Sequence, residues 1–390
     1  MKTFKKVLAL VLVAMLAIGL CACGGNEEGG AAGEKAALKI GVIHIGDPAD
    51  GSGYSYTHDL GIQGMQKNLG LSDDQIVRKL NIADNDPAAT QTAIEACIAE
   101  GCNLIFGTSY GYMDTMEALA SQYPDVYFSH GTGYKSNDVN FNNYFGRIYQ
   151  ARYLAGIAAG LKTETNKVGY VAAYGTELAE TCSGINAFAL GVQAVNPEAV
   201  VYVKTLNSWF DPANETAYAD ALIDMDCDVI AQHCDTANPQ IAAQNKGVFG
   251  CGYNSDMTAE APKAHLTAPI WNWDVYYTTA AQAVLDGKWA ELGNYYGGLQ
   301  EGFVDVSPLS ENCAEGTQEI IDQVKALIVS GEWDVFSGVK LSVEDGAIVM
   351  TDADILDNAG NVVIAKGAPL VENGVIQGSM NYFVEGVELK

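Results

Sequence analysis

Residues Ile45–Leu71 read IGDPADGSGYSYTHDLGIQGMQKNLGL. They follow an apolar run, Leu38 to Ile45, with the length and composition of a buried parallel strand. A turn containing Gly46, Gly51 and Gly53 comes next, and an amphipathic run from about Thr57 to Leu69 predicts a helix. In an open α/β sheet, ligands sit just beyond the carboxyl ends of the strands. This turn therefore projects Tyr54 and Tyr56 toward a site. Glycine lets the backbone bend there, because it takes positive φ without steric cost. The same letters also describe an ordinary turn carrying two surface tyrosines, so the rest of the chain must decide.

Outward from that stretch, strand and helix patterns alternate. Strands are expected at Ile76–Ala83, Asn103–Thr108, Asp125–Ser129 and Phe141–Gly146. Asp86-Pro87 opens a helix, with proline at an early position where its missing N–H does no harm. The small-residue run QARYLAGIAAG predicts a closely packed helix over Tyr149–Leu161. From Lys167 the alternation starts afresh, with strands near Val200–Asn207, Asp228–His233, Gly247–Tyr253 and Leu266–Trp271. Such alternation implies parallel sheets with right-handed crossovers. The expected fold class is α/β, with two doubly wound lobes, a hinge and a short C-terminal β appendage. The expected boundaries are 38–147 plus 267–390 for the N-terminal lobe with its appendage, and 148–266 for the C-terminal lobe. Short strands with turns at Glu344-Asp345-Gly346, Asn358-Ala359-Gly360 and Glu372-Asn373-Gly374 make up the appendage.

The chain has 390 residues, 21 Lys+Arg against 48 Asp+Glu and a net charge of −27. That acidity opposes a phosphate backbone and argues against nucleic-acid binding. At the N-terminus, Lys2, Lys5 and Lys6 precede an apolar run from Val7 to Leu20, the pattern of a secretory signal over residues 1–22. Leu20-Cys21-Ala22-Cys23 resembles a lipobox with Cys23 as the lipidated residue. The apolar run is short for a membrane span. Residues 23–37, rich in Gly, Glu and Ala, read as a flexible tether. Seven cysteines remain beyond Cys23, an odd number without a CxxC pair. They are expected as buried thiols, and no metal or cofactor is expected.

Taken together, GDPADGSGYSYTHDLG, GTSYGYMD, YQARYLAGIAAG, NSWFDP, GYNSDM and SMNYFVEGV resemble the basic membrane lipoprotein family of ABC-transporter substrate-binding proteins, over nearly the whole mature chain. The resemblance implies a type I periplasmic-binding fold with the ligand between the lobes. It also implies a purine nucleoside or, in one branch, adenine as ligand, and a membrane permease as partner. The protein is then expected as a monomer on the extracytoplasmic face of the cell membrane. Carried over by position, the two stacking aromatics fall on Tyr54 and Trp209, and the acidic residue of the ribose turn falls on Asp256. Tyr110 falls where a loop lines the cleft. Trp271 stands where nucleoside-binding members usually place a lysine near the sugar, which favours a free base.

The chemistry fits that expectation. A purine has a flat polarizable face and an edge of donors and acceptors. Aromatics from opposite lobes, Tyr54 and Trp209, sandwich the face, and stacking contributes about 1–3 kcal/mol per base. Asp235, His130 and Asp256 end strands on the cleft side and are candidates for the edge, although aspartate at such positions also serves as a turn or helix cap. Tyr56, Tyr112, Tyr134, Trp273 and Phe210 lie beside the proposed cleft and are mostly expected in packing, as Trp289 and Trp333 are.

Other readings compete. Gly107-Thr108-Ser109-Tyr110-Gly111 matches G-x-S-x-G between a strand and a helix, and with Asp235 or Asp256 and His265 it spells the order of a serine hydrolase. The glycine loop at His130 follows that serine instead of preceding it, which weighs against the match. A sugar-binding protein of the same fold is a second alternative, and a sensor that reports ligand state to a receptor is a third.

Overall fold

The computed structural model describes residues 37–390. The expected signal segment 1–22, the lipidated Cys23 and the tether, save Ala37, lie outside that range. Leu38–Lys390 packs as a compact unit.

The first half runs β1 (Ile40–Ile43), α1 (Gly53–Leu69), β2 (Ile76–Lys79), α2 (Pro87–Ala99), β3 (Leu104–Gly107), α3 (Met113–Gln122), β4 (Tyr127–Gly131) and β5 (Phe141–Gly146). All four residues of β1 are buried, as a central strand covered on both faces requires. Its Ile40 pairs with Ile76 on one side and Leu104 on the other, both parallel. Asp86 accepts from the Ala88 and Ala89 amides, so α2 begins as its Asp-Pro signal indicates. Two boundaries move. Strand β2 ends at Lys79 because Asn81 takes a φ of 56°, which no ladder continues. Helix α1 starts at Gly53, directly after the extended Ser52, so Tyr54 and Tyr56 stand on its first turn and not in the loop.

The second half runs α4 (Ile148–Lys162), β6 (Lys167–Ala172), α5 (Ala179–Val195), β7 (Val200–Thr205), α6 (Pro212–Ile223), β8 (Val229–His233), α7 (Asn238–Lys246), β9 (Phe249–Cys251) and β10 (His265–Thr267). Helices α4 and α5 approach until side chains no longer fit between them. A Cβ on Gly156 would run into the Phe188 carbonyl, and one on Gly191 into the Tyr153 carbonyl. The small residues of QARYLAGIAAG are therefore a packing requirement. The chain continues through β11 (Pro269–Trp271), α8 (Trp273–Asp286), α9 (Trp289–Leu292), β12 (Tyr295–Gly297), β13 (Val304–Val306) and α10 (Thr317–Ser330). It ends with β14 (Val339–Glu344), β15 (Ala347–Asp352), β16 (Ile355–Leu356), β17 (Val362–Ile364), α11 (Asn373–Gly378) and β18 (Val387–Leu389).

Two six-stranded parallel sheets result, ordered β12-β5-β4-β3-β1-β2 and β10-β9-β8-β6-β7-β18. Two parallel-sheet lobes are what the alternating pattern predicts. Ribbon β11–β13 is antiparallel, with Trp271 opposite Val304.

The C-terminal region differs from its expected place on the first lobe. Past residue 267, only β12 joins the first sheet, while β18 adds to the second through Val387 opposite Val201. Asn186 of α5 fastens the same segment: its side chain donates to the Tyr382 carbonyl at 2.8 Å and accepts from the Val384 amide at 3.0 Å. Sequence patterning marks short strands but carries no sign of which sheet edge they complete. The Asp345-Gly346 turn, with φ of 50° and 77°, closes the β14–β15 hairpin. Glu372-Asn373-Gly374 instead leads into α11.

Candidate functional site

Asp235 follows β8 and sits at the meeting of the lobes. Its amide donates to the Trp209 carbonyl at 2.9 Å. Its own carbonyl lies against Gly53, the first residue of α1, so closely that a Cβ there would collide with it. Gly53 has a φ of 81°. Tyr54 and Trp209, expected from opposite lobes, are thus each tied within one residue to the same point.

The wall from the first lobe is aromatic. The Tyr54 ring stands edge-on to His58 at 4.3 Å and to Trp273 at 6.4 Å. His58 stacks on Trp273 at 4.0 Å, Trp273 on Trp271 at 4.6 Å, and Trp271 leans on Phe145 at 4.9 Å. Behind them, the Tyr144 and Tyr277 hydroxyls are 2.9 Å apart, and Tyr277 is 2.6 Å from His58 Nδ1. Gly61 and Gly64 of α1 let Trp273 and Asp274 come this close, since a Cβ on either would clash with them.

The wall from the second lobe mixes rings with charge. Trp209 meets Tyr174 edge-on at 5.7 Å and His233 at 5.6 Å, and His233 meets Tyr253 at 4.8 Å. The buried Arg152 guanidinium lies 4.1 Å over the Tyr253 ring and donates to the Tyr170 hydroxyl and the Gln232 carbonyl. Glu180 is 3.5 Å from His233. Asn254, at a φ of 69°, donates to the Asp235 carboxylate at 3.0 Å. Trp271 reaches the Tyr253 hydroxyl at 3.4 Å.

Burial suppresses charge here. Asp235 and Glu180 keep a little surface, but burial of their carboxyls pushes both up to about 7. The Asn254 bond and Arg152, respectively, hold them back from rising further. Burial drives His58 and His233 well below the usual histidine range, helped by His44 and Arg152 respectively. Burial likewise raises Tyr54, with Tyr144, Asp235, Glu180 and Tyr253 adding to it. Several buried polar atoms have no protein partner: Tyr54 Oη, His58 Nε2, Trp273 Nε1 and Asn254 Oδ1. Rings to cover a flat face, with donors and acceptors left open at the edges, suit a neutral aromatic heterocycle.

The remaining expected residues fall elsewhere. Asp256 is exposed, caps Thr258 and lies 3.4 Å from His265, so it acts as a turn residue. Asn254, two residues earlier in GYNSDM, takes the buried place beside Asp235. Tyr110 is 55% exposed and Tyr134 70%. His130 is buried beneath their loops and bonds the Ser109 carbonyl at 2.7 Å. Burial lowers it to about 4. Trp271 is in the aromatic stack. Of the residues expected in packing, Trp273 is in the wall while Phe210 is 62% exposed.

Sequence reasoning passed over His58, Asn254, Arg152 and Glu180. The one signal for His58 was a histidine on the buried face of a helix that starts at the cleft.

The hydrolase arrangement does not assemble. Ser109 Oγ donates to Asp84 at 2.7 Å, and His130 addresses the Ser109 carbonyl, not its hydroxyl. His265 lies on β10, beside Ser307 and Asp256.

All seven described cysteines are free thiols, six of them buried. Among the described residues, no group of three or more His, Cys, Asp or Glu is placed to hold a metal ion. No helix among them is long and apolar enough to cross a membrane. Two surface cavities of about 380 and 400 Å³ lie by the C-terminal region, one beside Tyr153 and Trp333 and one beside Arg147 and Asp334. Neither is lined by Tyr54, Trp209 or Asp235.

Residues 37–335 match the family model described as ABC transporter substrate-binding protein PnrA-like. The chain is 38% identical over 319 residues to a purine-binding protein of Brucella abortus (strain 2308), covering 82% of this chain and 88% of that one. It is 37% identical over 317 residues to a putative ABC transporter glucose-binding protein of Haloferax volcanii, covering 80% and 78%. Among solved structures, a solute-binding protein of an ABC transporter system from Conexibacter woesei matches with a TM-score of 0.63 at 20% identity, covering 76% and 98%. A transcriptional activator from Bacillus halodurans matches at 0.64 and 23% identity, covering 75% and 98%. The structural likenesses speak to the fold.

Proposed function

The chain belongs to the PnrA-like family of ABC transporter substrate-binding proteins, and we propose that its ligand is a purine, with a free base of the adenine kind preferred over a nucleoside. The observation that carries this is Asp235 bonded to Trp209 on one side and pressed against Gly53, next to Tyr54, on the other. A flat ring entering there meets an aromatic from each lobe, and neither lobe alone supplies both faces. The absence of a lysine at Trp271, whose indole joins the stack instead, removes the cation that would meet a sugar hydroxyl or phosphate.

In this reading the open form takes the base on one lobe, closure completes the sandwich, and the closed form docks a membrane permease. A ligand shifts that balance only by its differential affinity for the closed state. Lipid on Cys23 tethers the monomer to the extracytoplasmic face of the membrane. A glucose-type ligand is the second reading, favoured by the name of the Haloferax volcanii relative. The site counts against it, because open rings outnumber the charged and amide groups that hydroxyls need.

Calorimetric titration with adenine, adenosine and glucose separates these readings. Adenine is expected to bind tightest. Glucose binding without purine binding would replace the purine assignment.

A further inference from the structure

We propose that His58 reads the edge of the bound base, donating a hydrogen bond from Nε2 to an unsubstituted ring nitrogen; this deepens the purine reading and rests on it.

The side chain is fully buried and held on three sides. Trp273 stacks on its face at 4.0 Å, Tyr54 stands edge-on at 4.3 Å, and Nδ1 is 2.6 Å from the Tyr277 hydroxyl. The hydroxyls behind it decide which nitrogen carries the proton. Tyr144 is fully buried, and Tyr277 is the one acceptor its hydroxyl reaches among the described residues. If Tyr144 donates to Tyr277, then Tyr277 donates to His58 Nδ1 and every hydrogen is used. The reverse direction strands the Tyr144 hydrogen without an acceptor, which buried hydroxyls avoid. His58 is therefore the tautomer with hydrogen on Nε2.

That N–H is buried and has no partner. Beside it, the Trp273 indole N–H is also buried and unpartnered. Two adjacent open donors, backed by rings, call for a ligand edge rich in acceptors. A sugar hydroxyl accepts such a bond as well, but an aromatic nitrogen base presents in-plane ring acceptors together with a π face for the neighbouring rings. Asn254 Oδ1, open on the second lobe, is left for a donor on the opposite edge.

The test compares adenine with its 1-, 3- and 7-deaza analogues by calorimetry. In the unaltered protein, one analogue is expected to bind at least about tenfold more weakly than adenine, because C–H replaces the acceptor that met Nε2. In His58→Phe that difference disappears, while in His58→Gln, which keeps an N–H at similar reach, part of it returns. Nitrogen-15 shifts of the adenine-bound protein are expected to show His58 protonated on Nε2, a readout independent of either variant's folding. Protonation on Nδ1, or discrimination unchanged in His58→Phe while adenine still binds, overturns the assignment and leaves the purine reading standing. No purine binding to the unaltered protein removes both.

Discussion

The carbonyl oxygen of Asp235 rests against Gly53 so closely that a methyl group there would collide with it. Two residues 182 positions apart thus touch where the lobes meet, and the contact tolerates only the residue without a side chain. Gly53→Ala is penalised twice, since its φ of 81° is left-handed as well. That conformation costs an alanine roughly 1–2 kcal/mol. Purine affinity is expected to fall at least about tenfold, a loss of about 1.4 kcal/mol. Scattering of the variant with adenine should show a more open particle; unchanged affinity and dimensions would remove this contact from the closure mechanism.

Trp209→Ala tests the sandwich itself. Its indole is half-buried and meets Tyr174 and His233 in T-shaped contacts. Loss of one stacked ring is expected to weaken purine binding more than tenfold, in line with about 1–3 kcal/mol per base. Far-ultraviolet circular dichroism should stay as in the unaltered protein. Unaltered affinity means the ring does not meet the ligand.

Asp235 makes unliganded stability depend on pH. Its folded value is about 7 against an ordinary 3.8, raised by burial. A raised carboxyl keeps its proton in the folded state where the unfolded chain has lost it, so its stabilising contribution is full below about 4 and declines up to about 7. Glu180, also near 7, acts in the same sense. Asp235→Asn is expected to gain in melting temperature relative to the unaltered protein as pH rises from 4.5 toward 7.5, by an amount on the order of a few degrees. A constant difference across that range would mean that the carboxyl titrates normally.

Asn186 holds the C-terminal segment on the second lobe by two hydrogen bonds to backbone. Asn186→Ala leaves the Val384 amide, one of those partners, without its acceptor. A cost of about 1–3 kcal/mol is expected for the stranded group. Chemical denaturation measures it. A neutral result would show that the β18 ladder and the Gln193 and Asn358 contacts hold the segment without Asn186.

Cys23→Ala tests the anchor. The variant is expected in the soluble fraction of cells, because it lacks the residue proposed to carry the lipid. Retention in the membrane fraction would count against lipidation at Cys23.

Most of the fold was legible because its signals are local. Apolar runs such as Leu104–Gly107, and the Asp86-Pro87 cap, declare a strand or a helix within a few residues. The small residues of α4 announce close packing, which Gly156 against Phe188 bears out. The site was legible only in part. Trp209, Asp235, Tyr54 and Trp271 end up in its walls, whereas Asp256 turns outward to cap Thr258 and Asn254 takes the inner place. Two residues of backbone decide between them, and only a φ of 69° at Asn254 reveals which side chain faces in.

By itself, then, the order of residues determined two parallel sheets, an acidic surface and a set of motifs that name the family, because periodicity and caps act over a single turn or strand. Tertiary structure alone decided that β18 completes the second sheet, that His58 is buried and stacked on Trp273, and that Gly53 meets the Asp235 carbonyl. Those features arise from groups far apart in the chain, whose burial and mutual distance exist only once both lobes have packed.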